Sequence, residues 1–182
     1  MGECALQFQI TELKSNGITD PIGIKEVWVK GNQCKTRLTT AQLVQTFLFN
    51  TQLDKATITK DIGQSHFLQT IGYPPVSKNN IVTQEEIATD STINILGYRC
   101  KAMQLKWSDG SIYDILYTDA LNLTVNQFEL GFKNIPGLVL SYTITSAKGM
   151  RIKYQATQLD LSPLSLSLFT INNELYQAID EK

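Results

Sequence analysis

The residues able to do chemistry are few and scattered. Three cysteines, Cys4, Cys34 and Cys100, match neither a zinc-site spacing nor a CxxC motif. Their odd number permits one disulfide at most, and three small semi-apolar residues on strands are the simpler reading. His66 is the single histidine, so a His-based triad has only this residue to use, and a His-rich metal site is excluded by count. Its neighbours, Gln64-Ser65-His66-Phe67-Leu68, read as strand and supply no conspicuous partner. Glu85 and Glu86 are adjacent, so they point apart on a helix or a strand, whereas glycosidase chemistry needs two carboxylates facing one gap. Asp109, Asp114 and Asp119 follow one another around a hairpin and read as turn and solvent face. No GxSxG elbow, P-loop, GxGxxG or HExxH is present. These residues predict a chain without a catalytic centre, a bound metal or a cofactor.

Composition narrows the class further. The 182 residues carry 16 Lys+Arg and 17 Asp+Glu, a formal net charge of -1. A nucleic-acid binder held by phosphate contacts would want a basic surplus, so none is expected. A hydrophobic fraction of 42% excludes a disordered chain. No apolar run approaches the ~20 residues of a membrane-spanning helix. The length suits one domain, 1–182, with a core that needs no metal or disulfide staple. The chain opens Met-Gly-Glu-Cys, without the basic and apolar regions of a signal peptide.

The elements that position these residues are strands. Period-two alternation dominates, the mark of half-buried antiparallel strands. Leu6, Phe8 and Ile10 alternate with Gln7 and Gln9; Val27 and Val29 alternate with Glu26 and Trp28. Lys30-Gly31-Asn32 supplies a hairpin turn into Cys34–Thr39. Gln45–Asn50, Ala56–Thr59 and His66–Ile71 continue a meander. Tyr73 to Asn80 is a loop whose tandem prolines, Pro74-Pro75, cannot continue a ladder. Val82–Ala88 is predicted as a short helix with Thr83 as cap. Tyr98–Trp107 is a long strand whose apolar phase shifts from Tyr98, Cys100 and Ala102 to Met103, Leu105 and Trp107, and a bulge would absorb the shift. Ser108-Asp109-Gly110-Ser111 turns it back into Ile112–Thr118. Asp119–Phe132 lacks alternation and is predicted as a short helix or an irregular cover. Leu138–Thr145 and Met150–Thr157 form the clearest hairpin, across Ala147-Lys148-Gly149. Leu164–Thr170 reads as a final strand and Asn172–Asp180 as a short helical tail. Roughly ten strands at ~8–12-residue spacing indicate an all-β architecture.

Several segments of the chain resemble one family. Ile95-Leu96-Gly97-Tyr98-Arg99-Cys100-Lys101-Ala102 resembles a strand of the GLPGLI family, and Asn134-Ile135-Pro136-Gly137-Leu138-Val139-Leu140 resembles the segment that names it. Val29-Lys30-Gly31-Asn32 with Arg37 is similar to the hairpin of related secreted Bacteroidetes domains, and Leu168-Phe169-Thr170-Ile171 to their C-terminal motif, with Asn172 where proline is usual. Asn134-Ile135 replaces the first Gly-Leu of the family pattern. These relatives are similar to the outer-membrane lipoprotein carriers (LolA/LolB-like). The resemblance implies a mainly β fold, a curled antiparallel sheet forming an incomplete (half) β-barrel with short helices over its open side. It also implies export to the periplasm or cell envelope, peripheral to the outer membrane. It supplies no catalytic residue.

A curled sheet with an apolar concave face can bury an acyl chain. The expected function is therefore non-catalytic binding of a lipid, lipoprotein, lipopeptide or other hydrophobic small molecule. Trp107, Leu140, Tyr142, Ile144, Met150, Ile152 and Tyr154 are the predicted lining residues. The alternative is a cell-envelope interaction protein that binds another protein through a sheet edge or the Pro74-Pro75 loop.

Overall fold

Strict alternation becomes strand throughout. In the computed structural model, which describes residues 2–75, 79–88 and 93–179, Leu6, Phe8 and Ile10 are buried on one side of β1 (Glu3–Leu13). Val27 and Val29 do the same on β2 (Thr19–Lys30), and Cys34 and Thr36 on β3 (Gln33–Thr40). The meander continues through β4 (Val44–Asn50), β5 (Lys55–Ile62) and β6 (Ser65–Gly72). The second half adds β7 (Ile81–Ile87), β8 (Ile93–Ile95), β9 (Tyr98–Trp107), β10 (Ile112–Thr118), β11 (Leu138–Thr145), β12 (Arg151–Asp160) and the two-residue β13 (Gln177–Ala178).

All belong to one open sheet of 13 strands, ordered β13-β6-β5-β4-β3-β2-β1-β12-β11-β10-β9-β7, with β8 also on β9. Every pairing is antiparallel except β13 on β6. The connection from β6 to β7 joins strands near opposite ends of this order. At ~4.8 Å per strand a flat sheet would hold them roughly 48 Å apart. The chain from Gly72 to Ile81 reaches about 30 Å at full extension. The sheet must therefore bend towards itself. One hydrophobic cluster accordingly joins Phe49 and Ala56 of β4 and β5 to Met103 and Leu105 of β9.

The mainly β, antiparallel reading holds, and several finer expectations are corrected. Among the described residues the strands number 13 rather than roughly ten. Val82–Ala88 is no helix: β7 pairs along β9, where Ile81, Val82 and Thr83 favour extended backbone and the edge of β9 away from β10 would otherwise be open. Leu164–Thr170 is no strand: beyond Pro163, the Ser165 side chain accepts from Ser167 N and starts a short 3-10 turn, Leu166–Phe169. The tail holds another such turn, Asn173–Leu175, then β13; Asp180 lies outside the described residues. The phase shift in β9 is real, with Cys100, Met103 and Leu105 buried, but Lys101–Lys106 pairs with β10 without a register break. Instead β9 changes partner, from β8 at Tyr98–Cys100 to β7 at Ala102–Trp107.

The cover over the inner face is irregular, where the resemblance implied short helices. Leu121, Val125, Phe128, Phe132 and Ile135 are buried at three- and four-residue spacings, yet only Phe132–Asn134 forms a 3-10 turn. Asn126 consumes the backbone that a helix would use: its Nδ2 donates to the carbonyls of Phe132, Ile135 and Gly137 at 3.4, 3.3 and 2.7 Å. Gly131, at φ 91°, turns the segment where a Cβ would lie 2.8 Å from the Trp107 ring. On the outer face the C-terminal segment crosses β1 to β3. Lys30 Nζ donates to Leu164 O and Lys35 Nζ to Leu168 O, both at 2.8 Å. No helix of the described residues is long and apolar enough to cross a membrane.

Candidate functional site: a cavity with a buried lysine at one end

Lys25 occupies the inward phase of β2, in step with Val27 and Val29, and is 6% exposed. A buried ammonium is costly unless paired and hydrogen-bonded. Here the cover supplies the partner. Lys25 Nζ forms an ion pair with Glu129 and donates to Phe128 O at 3.3 Å and Tyr142 Oη at 3.2 Å. The Tyr142 hydroxyl in turn donates to Glu129 Oε1 at 2.9 Å. Three rings, those of Phe128, Tyr142 and Tyr154, stand with centroids 5.7–5.8 Å from the ammonium.

Beside this cluster a cavity of about 470 Å³ opens between β2–β6 and the cover. The register of the sheet grades its wall along the strand direction. One rung across β2, β3 and β4 runs Lys25–Leu38–Gln45. The next runs Thr36–Phe47–Ile58, and a third, Cys34–Phe49–Ala56–Ile71, reaches the cavity at Ile71. Polar groups thus lie at one end and apolar ones at the other. Tyr73, Pro74 and Pro75 bound the far side. Tyr73 stacks on Phe49 at 4.4 Å, and its hydroxyl donates to Gln127 Oε1 at 2.6 Å. Two lysines, Lys25 and Lys133, and one carboxylate, Glu129, line the space, so it carries one uncompensated positive charge.

Burial holds the tyrosines neutral. Burial first, and then the Glu129 charge, push Tyr142 well above the usual phenol range. The same causes push Tyr154 up to about 12, and burial followed by Cys34 pushes Tyr73 to about 12. At neutral pH these phenols are hydrogen-bonding groups rather than bases.

Of the seven residues predicted to line a ligand site, the structure brings Tyr154 to the cavity wall. Tyr142 lies behind it, its ring packed edge-on by Phe8 and Phe132 and its hydroxyl on the Lys25 cluster. Leu140 is fully buried core. Ile144 and Ile152 face one another across β11 and β12, half-buried. Trp107 packs on Tyr113 under the cover, centroids 5.5 Å apart. Met150 is 56% exposed at the hairpin tip. The cavity is instead built from the first half of the sheet. Its signal was a lysine in phase with buried valines; Glu129, in a segment without periodicity, gave none.

The other chemistry-bearing residues have local partners. His66 Nδ1 pairs with Asp61 at 2.8 Å on an exposed surface. Asp109 accepts from Ser111 N and Oγ, Asp114 from Gln104, and Asp119 pairs with Lys101. Glu86 accepts from Tyr117 while Glu85 lies on the opposite face of β7. Among the described residues no three His, Cys, Asp or Glu gather as a metal site.

Fold and cavity together define an open, single-sheet antiparallel β protein with an irregular inner cover. No protein-family model and no curated protein matches the chain. Among solved structures it is similar to one of PNGF-II, with a TM-score of 0.58 and 11% identity, over 100% of this chain and 32% of that one. The chain thus spans about a third of that protein's length, and at this identity the likeness is one of fold alone.

Proposed function

We propose that this protein binds a lipid, lipopeptide or other amphipathic small molecule in the concavity of its sheet, without chemistry on it. The observation that carries this reading is the cavity of about 470 Å³, apolar along Phe47, Ile58 and Ile71 and polar at Lys25 and Gln45. Its size falls within the roughly 300–1,000 Å³ of small-molecule sites. Each methylene buried there would contribute about 0.8 kcal/mol. The resemblance to GLPGLI domains and lipoprotein carriers supports the same reading, with the bent sheet as a half-barrel and the protein in the periplasm or cell envelope.

Native mass spectrometry of the purified protein, with solvent extraction and lipid analysis, tests this. The expected result is a co-purifying acyl species that a fluorescent fatty-acid probe displaces. A clean apo mass with no probe binding at micromolar concentration overturns it. A second reading, as an envelope interaction protein, is favoured by β7. It ends the order of strands, an edge that a partner strand could extend, and Val82, at the register shift between Ile81 and Thr83, is 65% exposed beside it. Charged substitution at Val82 would then abolish partner capture and leave probe binding intact.

A further inference from the structure

We infer that the cavity selects an amphiphile with an anionic head, a carboxylate or comparable group on an acyl chain, and that this head takes the place of Glu129 at Lys25. The inference rests on the binding function proposed above and names its ligand class. Three observations carry it. First, Lys25 is fixed by the sheet, on the inward phase of β2, whereas its counter-ion comes from the irregular cover, more than 100 residues away in sequence. Second, Lys25, Glu129 and Tyr154 all line the cavity, so the ion pair belongs to its wall rather than to sealed core. Third, the lining carries two ammonium groups against one carboxylate. The wall's net charge is therefore positive, which draws an anionic head towards it.

The rungs set the ligand's direction. A head at Lys25–Leu38–Gln45 leaves the tail to run over Phe47 and Ile58 towards Ile71. Tyr142 Oη, which already bonds both Lys25 and Glu129, remains in place to donate to the incoming head. Lys133 stands exposed on the other wall, where it favours arrival of an anion. Glu129 is 23% exposed in its side chain, and release from Lys25 lets it turn to solvent.

Isothermal titration of the full chain at pH 8 with dodecanoate and with dodecanol tests the assignment. Wild type is expected to bind the acid at least about tenfold more tightly than the alcohol, the size of one charge-assisted hydrogen bond. Glu129→Gln removes the competing carboxylate and is expected to raise affinity for dodecanoate several-fold while leaving dodecanol unchanged. Lys25→Met with Glu129→Gln removes both charges together, avoids stranding either one, and is expected to abolish the preference for the acid. Equal affinities for acid and alcohol in wild type, or a Glu129→Gln variant that binds dodecanoate no better, overturn the head-group assignment alone. Binding of neither probe overturns the ligand-binding function on which it rests.

Discussion

Tyr142 and Tyr154 face one another across β11 and β12 with their ring planes 5° apart and their centroids separated by 4.4 Å. Lys25 Nζ stands 5.8 and 5.7 Å from the two centroids. The stack is therefore both packing and part of a cation's surroundings, but the two tyrosines contribute differently. Tyr142 adds a hydroxyl that accepts from Lys25 and donates to Glu129; Tyr154 acts through its ring. Tyr142→Phe keeps the stack and leaves a buried ammonium one acceptor short. It is expected to lose about 1–2 kcal/mol in urea unfolding, and Tyr154→Phe well under 1 kcal/mol. Equal losses from both would contradict the polar role of Tyr142.

Alkaline pH probes the same ring cluster. Burial raises Tyr73, Tyr113 and Tyr154 to about 12 from an ordinary value of 10.0. Below pH 10 these phenols are protonated in folded and unfolded chains alike, and their contribution is constant. Between pH 10 and 12 the unfolded chain releases protons that the folded chain keeps, so stability falls as pH rises. Urea midpoints followed by far-UV circular dichroism are expected to stay flat to about pH 10 and then drop. Tyr154→Phe is expected to recover on the order of 2 kcal/mol at pH 12. A flat profile to pH 12 would show that these hydroxyls are open to water.

The sequence made the sheet legible and left the site obscure, for a physical reason. Alternation such as Leu6-Phe8-Ile10 reports burial of one face of a strand directly, and hairpins at Gly31 and Gly149 follow from turn chemistry, each at positive φ. What alternation cannot report is which strands lie opposite the cover. Leu140, Tyr142 and Ile144 promised a lined groove, yet Phe8, Phe128 and Phe132 fill the space above that part of the sheet. The empty space lies instead over β2–β6, where Lys25, Thr36, Gln45, Phe47, Ile58 and Ile71 line it. Short strands and 3-10 turns leave little trace in the sequence where local propensity is weak. Val82–Ala88 has helical cap chemistry at Thr83 and Glu85-Glu86, and the pairing demand of β9 overrides it.

The Ile135-Pro136-Gly137-Leu138 turn locks the cover to the sheet at one atom. A Cβ at position 137 would stand 2.2 Å from Thr118 O, a backbone atom at the end of β10 that has no room to yield. Gly137 O also accepts from Asn126 Nδ2 at 2.7 Å, and Leu138 N donates to Leu121 O at 2.9 Å. Gly137→Ala must therefore displace both the start of β11 and the Asn126 clasp. A loss of at least about 2–3 kcal/mol is expected from overpacking and weakened hydrogen bonds together. Native-state hydrogen exchange is expected to show faster exchange at Leu138 than at Val27 and Val29 of β2. Wild-type stability in the alanine variant would mean that the turn relaxes without cost.

The three thiols offer a count that separates two readings of the cysteines. Cys4 and Cys34 lie on the same rung with Val29 between them, so one strand separates them and their backbones stand roughly 10 Å apart. That exceeds the ~7 Å limit for a disulfide. Cys100 belongs to β9, in the other half of the sheet, and its Sγ donates to Tyr98 O at 3.5 Å. All three are buried free thiols. Burial pushes Cys4 up to about 12 and Cys34 higher still, and it raises Cys100 as well. Thiolate is the reactive form, so burial and suppressed ionisation both protect them. A thiol-disulfide dye at pH 8 is expected to report close to none in the folded protein and all three in guanidinium. One thiol in guanidinium would instead require a disulfide, and with it a sheet order in which two of these cysteines lie on neighbouring strands. Fast labelling of Cys4 in the folded protein would mean that β1 leaves the core at its start, removing the inward face that Cys4 shares with Leu6 and Phe8.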